Sequence, residues 1–343
     1  MRGGGIAMTE SEAEMAEKIT ISVDALGGDD APDVVLEGVA QALAADEDLS
    51  IILCGPDEVV SPFSAAHDRC VAQATTEAIS MGEHPAQAVR KKKDSSIVVG
   101  CRLVKEGAAQ GFFSAGSTGA CLAAATLVMG RAKGIARPAL ATVIPSPVRP
   151  VVMCDVGANA DCKPEYLVQF ARMGSVYAQK MLGIENPRCA LLNIGEEEEK
   201  GSKLAQDAHR LMREKLPNFA GNAEGGDVLA ATYDVFVSDG FTGNVCLKTI
   251  EGTSKVLFKT LKGIMYSSVA TKLGALTLKS GMKDLMVQVS PDTYGGAPLL
   301  GVDGACIVGH GSSNALAVRN GILTAAKSVR ERVSEIIAQT ATA

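Results

Sequence analysis

Short runs of apolar residues recur along the chain, and most of them end in Gly, Asp or Asn before a stretch with helical periodicity begins. Continuous apolar runs are typical of strands buried on both faces, and their alternation with helices indicates a parallel sheet covered on both sides. We therefore predict a three-layer α/β/α fold with a largely parallel, mixed sheet. The predicted strands are Ile19–Asp24, Ser50–Cys54, Gly111–Ser114, Ala139–Ile144, Val151–Val156, Cys189–Ile194, Val235–Ser238 and Cys306–Val308.

The segments between these strands predict helices. No linker rich in Ser, Pro or Gly separates two halves, and no repeat of solenoid length occurs, so residues 18–343 are predicted to form one intertwined unit. Residues 1–17 contain no apolar stretch long enough for a secretory signal and are predicted to be a loose N-terminal extension. The predicted helices are Asp33–Ala45, Pro85–Glu106, Ser117–Ala132, Pro164–Leu182, Glu198–Leu216, Asn244–Tyr266 and Ser312–Gln339.

Composition narrows the possible functions. Of the 343 residues 47% are hydrophobic but only 4% aromatic, which predicts a large core of small aliphatic side chains. The net charge of −6 gives no global positive field for nucleic acid, so an anionic ligand must be held at a local site. The nine cysteines show no CxxC pair and no zinc-like spacing with His, which favours free core thiols in a reducing cytoplasm. A soluble α/β enzyme is the expected class.

Glycine, with 36 residues, concentrates at the predicted strand-to-helix turns. Ser114–Gly119, Asp239–Asn244 and Gly309–Asn314 each combine glycine with small polar residues at the start of a helix. Such a helix start offers unpaired N–H groups and the positive end of the helix dipole, which suit an anion such as phosphate. One turn alone is better explained as a helix cap, but three turns of the same chemistry favour an anion site. None has the spacing of a Walker or dinucleotide motif.

Two further turns carry more charge. Asp155–Pro164 contains Asp, Asn, Asp and Lys, more than capping requires. Asn193–Lys203 contains four consecutive Glu followed by Lys200. The residues alone favour a solvated acidic helix start for this second turn, because carboxylates are stabilised near a helix N-terminus. The alternative is that Lys200 or Lys203 contacts a phosphate or thioester oxygen.

Seven segments, taken in their order along the chain, carry a family resemblance. They are Val23–Pro32, Ser114–Ala120, Arg131–Leu140, Asp155–Asn159, Asp239–Asn244, Tyr294–Gly301 and His310–Ser313. In this order and number they resemble the PlsX family, the phosphate acyltransferases that use acyl–acyl carrier protein in bacterial phospholipid synthesis. The chain departs from the usual family pattern at Asp30, Ser117, Gly226 and Asn314.

The resemblance implies an isocitrate/isopropylmalate dehydrogenase-like fold, a homodimer, and transfer of a fatty acyl group from acyl carrier protein to inorganic phosphate without a metal or other cofactor. The acyl phosphate would pass to a membrane glycerol-3-phosphate acyltransferase, which implies a cytoplasmic protein associated peripherally with the inner face of the cell membrane. The alternatives are a phosphotransacetylase-like enzyme that uses acyl-CoA, a dehydrogenase of the same fold, and a non-catalytic scaffold that binds an acyl carrier and phosphate.

The expected chemistry needs no covalent enzyme intermediate because phosphate is itself a nucleophile; the enzyme must position it and stabilise the oxyanion. The predicted catalytic residues are Lys200, which the resemblance favours over Lys203, together with Asn159 and His310. A turn-capping role for His310 is an equal alternative. The predicted substrate- and phosphate-binding residues are Ser114, Gly116, Thr118, Gly119, Asp155, Asp239, Thr242, Gly243, Asn244, Gly311, Ser312 and Ser313.

A protrusion near residues 266–288 is predicted to be amphipathic. Leu273, Leu276 and Leu278 are mixed with lysines in this segment, and a surface that is both apolar and basic suits a membrane interface or a partner groove. The resemblance favours membrane contact through these three leucines, and a dimer-interface helix pair is the alternative. The basic cluster Arg90–Lys93 could meet an acidic carrier protein, although a solvated helix face explains it nearly as well.

Overall fold

Eleven strands form one sheet in the computed structural model, which describes residues 18–288 and 293–341. Their order across the sheet is β3-β2-β1-β4-β11-β10-β5-β6-β9-β7-β8. The strands are β1 (Ile19–Asp24), β2 (Leu49–Gly55), β3 (Cys70–Ala74), β4 (Gly111–Ser114), β5 (Ala139–Ile144), β6 (Val151–Cys154), β7 (Cys189–Leu192), β8 (Phe219–Ala223), β9 (Val235–Val237), β10 (Ala297–Leu300) and β11 (Ala305–Val308).

The sheet contains two parallel blocks that run in opposite directions. In the first block, β3, β2, β1, β4 and β11 are parallel, and in the second block, β6, β9, β7 and β8 are parallel. Between them, β10 is antiparallel to both β11 and β5, and β5 is antiparallel to β6. Because three successive pairings are antiparallel, the strands of the second block run in the direction opposite to those of the first.

Helices cover both faces of this sheet. The helix α5 continues directly into one π-helical turn, Ala125–Met129. The helices are α1 (Asp33–Ala45), α2 (Asp57–Ala65), α3 (Pro85–Lys91), α4 (Ser96–Lys105), α5 (Thr118–Ala124), α6 (Pro164–Leu182), α7 (Lys203–Lys215), α8 (Gly225–Ala230), α9 (Gly240–Met265), α10 (Val269–Gln288), α11 (Ala315–Arg330) and α12 (Val333–Ala341).

One core cluster extends under both blocks on the same face of the sheet. Phe112 of β4 and Phe236 of β9 both belong to it. Alternate residues of a strand point to opposite faces of the sheet, so these two side chains point to the same face. Ala120 of α5 lies in this cluster and Leu247 of α9 packs against it. On the other face, α1 and α11 cover the first block and α6, α7 and α12 cover the second. The helices α5 and α9 therefore begin on a common face.

The α/β class with a large, mostly parallel mixed sheet is confirmed, but several predicted boundaries were wrong. The predicted helix Pro85–Glu106 is two helices, α3 and α4, because Asp94 accepts hydrogen bonds from Thr76 in the chain between them. The last predicted helix is also two, α11 and α12, divided at Arg332, whose φ is +55°. The helix predicted to begin at Glu198 begins at Lys203. Strands β3, β8 and β10 were missed.

Candidate functional site

The turns after β1, β4 and β11 meet at the carboxyl ends of three adjacent strands of the first block. A Cβ on Gly27 would lie only 2.7 Å from the backbone nitrogen of Gly116, so these turns are in direct contact. The backbone N–H of Asp29 donates to the carbonyl oxygen of Gly311 at 2.7 Å. We call residues 24–31, 114–119 and 309–314 the first group.

A buried carboxylate organises the first group. The Ser114 hydroxyl donates to Oδ2 of Asp24 at 2.7 Å and accepts from the N–H of Gly116 at 3.0 Å. Burial raises the pKa of Asp24, and its hydrogen bonds oppose that shift. Ser114 and Gly116 are thus engaged within the protein, and ligand binding by them stays a prediction. At the start of α5, the N–H groups of Thr118 and Gly119 donate to nothing within residues 18–288 and 293–341.

His310 is exposed in the turn after β11. Its Nδ1 accepts from the backbone N–H of Ser312 at 3.2 Å and lies 2.8 Å from the hydroxyl of the same residue. The Ser313 hydroxyl accepts from the His310 N–H at 3.1 Å. A backbone N–H can only donate, so Nδ1 is an acceptor and the neutral ring carries its proton on Nε2. The turn therefore presents an imidazole N–H donor.

A second buried carboxylate, Asp155, follows β6 in the second block. Its Oδ1 accepts from the N–H groups of Leu140, Gly157 and Ala158 at 3.0, 3.1 and 3.0 Å. Its Oδ2 accepts from the backbone and side-chain amides of Asn159 at 2.8 and 2.9 Å. Burial raises the pKa of Asp155, and the hydrogen bonds from Ala158, Gly157 and Asn159 oppose that shift. Asp155 thus fixes the shape of this loop and the orientation of Asn159.

The turn after β9 packs against this loop. A Cβ on Gly243 would lie 1.9 Å from the carbonyl oxygen of Asp155, so only glycine fits there. Asp239 caps α9 by accepting from the N–H and the hydroxyl of Thr242, each at 2.8 Å. The side chain of Asn244 donates to the backbone of the 155–159 loop at 2.9 Å. We call residues 155–159 and 239–244 the second group.

Lys200 lies in the loop between β7 and α7, beside the second group because β7 and β9 are neighbouring strands. This loop is outside the helix because Ser202 caps α7 and accepts from its third residue at 3.2 Å. Lys200 is exposed, and its ammonium makes no ion pair within the described ranges. Lys203, in contrast, pairs with Asp207 at 2.8 Å. Of the two lysines, Lys200 is the one with an uncommitted charge.

The predicted site residues thus fall into two groups at the ends of oppositely directed blocks. His310, Ser312 and Ser313 belong to the first group, and Asn159 belongs to the second with Lys200 beside it. Sequence reasoning missed Asp24 as the carboxylate at the centre of the first group. A buried strand that ends in Asp directly before a glycine-rich turn was the available signal.

The predicted membrane residues lie on α10. Leu273, Leu276 and Leu278 are 63%, 67% and 58% exposed. In the part of the chain that the structure describes, no helix is both long and apolar enough to cross a bilayer. The same residues contain no group of three or more His, Cys, Asp or Glu side chains that could hold a metal ion.

Solved structures with a similar architecture include phosphotransacylases. A phosphotransacetylase from Streptococcus pyogenes has a TM-score of 0.60 at 17% identity and covers 93% of this chain and 96% of its own. A branched-chain phosphotransacylase from Enterococcus faecalis has a TM-score of 0.57 at 16% identity, with coverage of 91% and 99%. At this identity the likeness defines the fold class, the α/β fold that these phosphotransacylases share.

Sequence relatives give the family. The family model for fatty acid synthesis protein matches residues 19–336. Proteins named phosphate acyltransferase are 47% identical in Desulfitobacterium hafniense, over 92% of this chain and 96% of theirs, and 45% identical in Clostridium beijerinckii, over 88% and 92%. The chain belongs to the phosphate acyltransferase (PlsX) family.

Proposed function

We propose that this protein transfers a fatty acyl group from acyl carrier protein to inorganic phosphate and releases acyl phosphate. One observation carries the proposal: the family match spans residues 19–336, and relatives named phosphate acyltransferase are 45–47% identical to this chain over the aligned residues. A membrane glycerol-3-phosphate acyltransferase would consume the acyl phosphate.

The reaction exchanges one bond for another. An oxygen of hydrogen phosphate attacks the thioester carbonyl carbon, a tetrahedral oxyanion forms, and the C–S bond breaks. The phosphate proton ends on the carrier thiol, so the products are acyl phosphate and free carrier. The enzyme has to orient phosphate and stabilise negative charge as it develops on the carbonyl oxygen and on sulfur.

Lys200 is our candidate for the cation that stabilises this charge. Its ammonium is exposed and unpaired within the described chain, while its backbone is held on both sides. The side-chain amide nitrogen of Asn159 donates to Asp155 and to the Pro138 carbonyl, whereas its side-chain oxygen, Oδ1, accepts no hydrogen bond from the described residues. Asn159 can thus orient a ligand on a fixed loop.

The first group is our candidate for phosphate binding. Free N–H groups of Thr118 and Gly119 and the Nε2–H of His310 are the donors that it offers. Sheets twist by about 20–25° per strand, so the four steps from β4 to β6 add up to about 80–100°. That rotation allows carboxyl ends of the two blocks to face one cleft, on the side where α5 and α9 begin.

The decisive experiment supplies palmitoyl carrier protein and phosphate and traps acyl phosphate with hydroxylamine. We expect hydroxamate from the carrier substrate and little from palmitoyl-CoA; the reverse preference would favour a phosphotransacetylase-like enzyme, and no hydroxamate would favour a binding scaffold. Lys200→Ala should reduce turnover about a hundredfold, as loss of a group that stabilises an oxyanion does. Lys203→Ala is the matched control and should retain turnover.

A second variant tests whether both groups serve one site. His310→Ala should lower kcat/KM and raise the KM for phosphate, because it removes a donor from the first group. Wild-type kinetics in this variant would exclude His310 from phosphate binding and would leave it as a turn-capping residue.

We also propose that the protein is a homodimer joined through α9. Val256, Leu257 and Ile264 form an apolar stripe on this helix and are 66%, 63% and 58% exposed. Soluble monomers rarely expose a contiguous apolar surface of this kind. Val256→Glu with Leu257→Glu should shift the sedimentation coefficient to that of a monomer; a wild-type protein that sediments as a monomer would refute the proposal.

The exposed leucines of α10 are our candidate for peripheral membrane contact from the cytoplasm. Leu276 and Leu278 are exposed on this helix, and so is Lys272, one turn before Leu276. Apolar and basic side chains together suit an anionic lipid surface. Leu276→Glu with Leu278→Glu should abolish co-flotation with vesicles that contain an anionic lipid, and unchanged binding would contradict the assignment.

A further inference from the structure

Beneath the Lys200 loop lies a buried pair of polar side chains, His209 of α7 and Asn222 of β8. They are only 4% and 3% exposed. The His209 Nδ1 lies 2.8 Å from Oδ1 of Asn222, and the imidazole packs edge-on against Phe219. Buried polar groups are retained at a cost in solvation, so a specific pairing of this kind points to a defined structural task.

The neighbours of this pair fix its protonation pattern. The Nδ2 of Asn222 donates to the carbonyl oxygen of Glu197 at 2.8 Å, so its Oδ1 is the atom that faces His209. Because Oδ1 can only accept, His209 carries a proton on Nδ1. On its other side, Nε2 lies 3.9 Å from Glu198, which is paired with Arg213. The imidazole therefore donates toward Asn222 and the amide donates onward to the loop.

The Glu197 carbonyl is the point where this chain of hydrogen bonds reaches Lys200. The same oxygen accepts the N–H of Lys200 at 3.1 Å. The carbonyl of Lys200 in turn accepts from Nδ2 of Asn193 at 3.1 Å. The backbone of Lys200 is thus held at its N–H through Asn222 and at its carbonyl through Asn193, although its side chain is exposed.

We propose that His209 and Asn222 are positioning residues that set the place of the Lys200 ammonium through the Glu197 carbonyl. This inference rests on the proposed function, in which Lys200 stabilises charge in the transition state. Neither residue touches substrate. A displacement of about 1 Å at a catalytic group can cost about a hundredfold in rate, so the buried pair matters for turnover and not only for folding.

The first test replaces the side-chain amide nitrogen of Asn222 by an oxygen. Asn222→Asp keeps the acceptor for His209 and removes the donor to Glu197. We expect kcat with palmitoyl carrier protein to fall about tenfold or more with little change in KM. The matched control is Asn218→Asp immediately before β8, where the amide donates to the Pro187 carbonyl at 2.7 Å and to the Ser175 hydroxyl at 3.0 Å. Equal kcat in the two folded variants would overturn the proposal.

The second test separates hydrogen bonding from packing at His209. Asn places its amide nitrogen near the position of Nδ1, whereas Gln places it near Nε2 and fills more of the imidazole volume. If His209 acts through Asn222, His209→Asn should retain several times the kcat of His209→Gln. If it only fills space, His209→Gln should be the more active and the more stable, and that order would overturn the proposal.

The closing test is a double-mutant cycle with Lys200→Ala. Residues that act through one group are strongly non-additive. In the Lys200→Ala background, Asn222→Asp should reduce residual turnover by less than about twofold. A further tenfold loss would show that Asn222 does not act through Lys200. Wild-type turnover of Lys200→Ala alone would instead refute the catalytic role in the proposed function, so the two failures are distinguishable.

Discussion

In both groups of turns a buried carboxylate holds the backbone in place, but the hydrogen-bond donors to that carboxylate differ. Each is organised by a carboxylate that is almost completely buried at the end of a strand, Asp24 in the first group and Asp155 in the second. Asp24 accepts from one backbone N–H, that of Leu26, and otherwise from serine side chains, Ser114 and Ser96. Asp155 accepts four backbone N–H groups and one side-chain amide.

The two groups differ in how the hydrogen-bond donors around each carboxylate can respond when that carboxylate is protonated or replaced by an amide. A hydroxyl can rotate and become an acceptor, but an N–H group can only donate. The second group is therefore a fixed frame around Asn159, while the first group can adjust. This agrees with a division of labour in which the frame holds the groups that face the reacting carbonyl and the adjustable turns receive phosphate.

The largest contrast is expected for glycine substitutions. Gly243→Ala would place a Cβ 1.9 Å from the Asp155 carbonyl oxygen, and we expect a loss of at least about 3 kcal/mol or failure to fold. Gly116→Ala in the first group meets the Ser114 hydroxyl at 3.1 Å and should cost about 1 kcal/mol. Urea unfolding of both variants measures the difference, and equal losses would abolish the contrast between frame and adjustable turn.

A smaller contrast is expected when each carboxylate becomes an amide. In Asp155→Asn, whichever oxygen is replaced leaves at least two N–H groups without an acceptor, so the free energy of unfolding should fall by about 3 kcal/mol. In Asp24→Asn the serine hydroxyls can turn to accept, so the change should stay within about 1 kcal/mol. Chemical denaturation at neutral pH tests both, and a larger loss for Asp24→Asn would reverse our interpretation.

The smallest effect concerns pH. Burial raises the pKa of Asp24, so the folded chain binds this proton more tightly than the unfolded chain. The stability contributed by Asp24 is therefore lost as pH rises from about 4 through the raised pKa. Asp24→Asn should remove this decline, which urea midpoints between about pH 4.5 and about pH 7.5 can follow. An unchanged pH slope in this variant would argue against the raised pKa.

Much of the architecture could be predicted because its strands are apolar and end in recognisable turns. Five elements, β1, β4, β5, α1 and α6, have the bounds that the sequence predicted. The missed strands have other causes. The short β8 contains Gly221 and Asn222, and β10 follows two glycines, so neither shows a continuous apolar run. The division between α3 and α4 depends on Thr76, which is distant in sequence and gives no local signal.

The candidate site shows the same limit in its side chains. Glycines that suggested anion binding have packing reasons that only contacts reveal, as with Gly243 against Asp155. The sequence indicated Asn159 and Lys200 as chemistry-bearing residues, but not which of Lys200 and Lys203 is free of an ion pair. That distinction depends on Ser202, which caps α7, so that Lys203 is the first residue of the helix and lies one turn from Asp207.

The pairing of β11 with β4 has a consequence for how the chain is made. The first block joins residues 19–114 to residues 305–308, and α11 then packs on α1. In a nascent chain the inner edge of β4 therefore stays unpaired until β11 has been synthesised. Such long-range pairing is slow and leaves a strand edge open to other chains. The first block is therefore completed only after every strand of the second block has been synthesised.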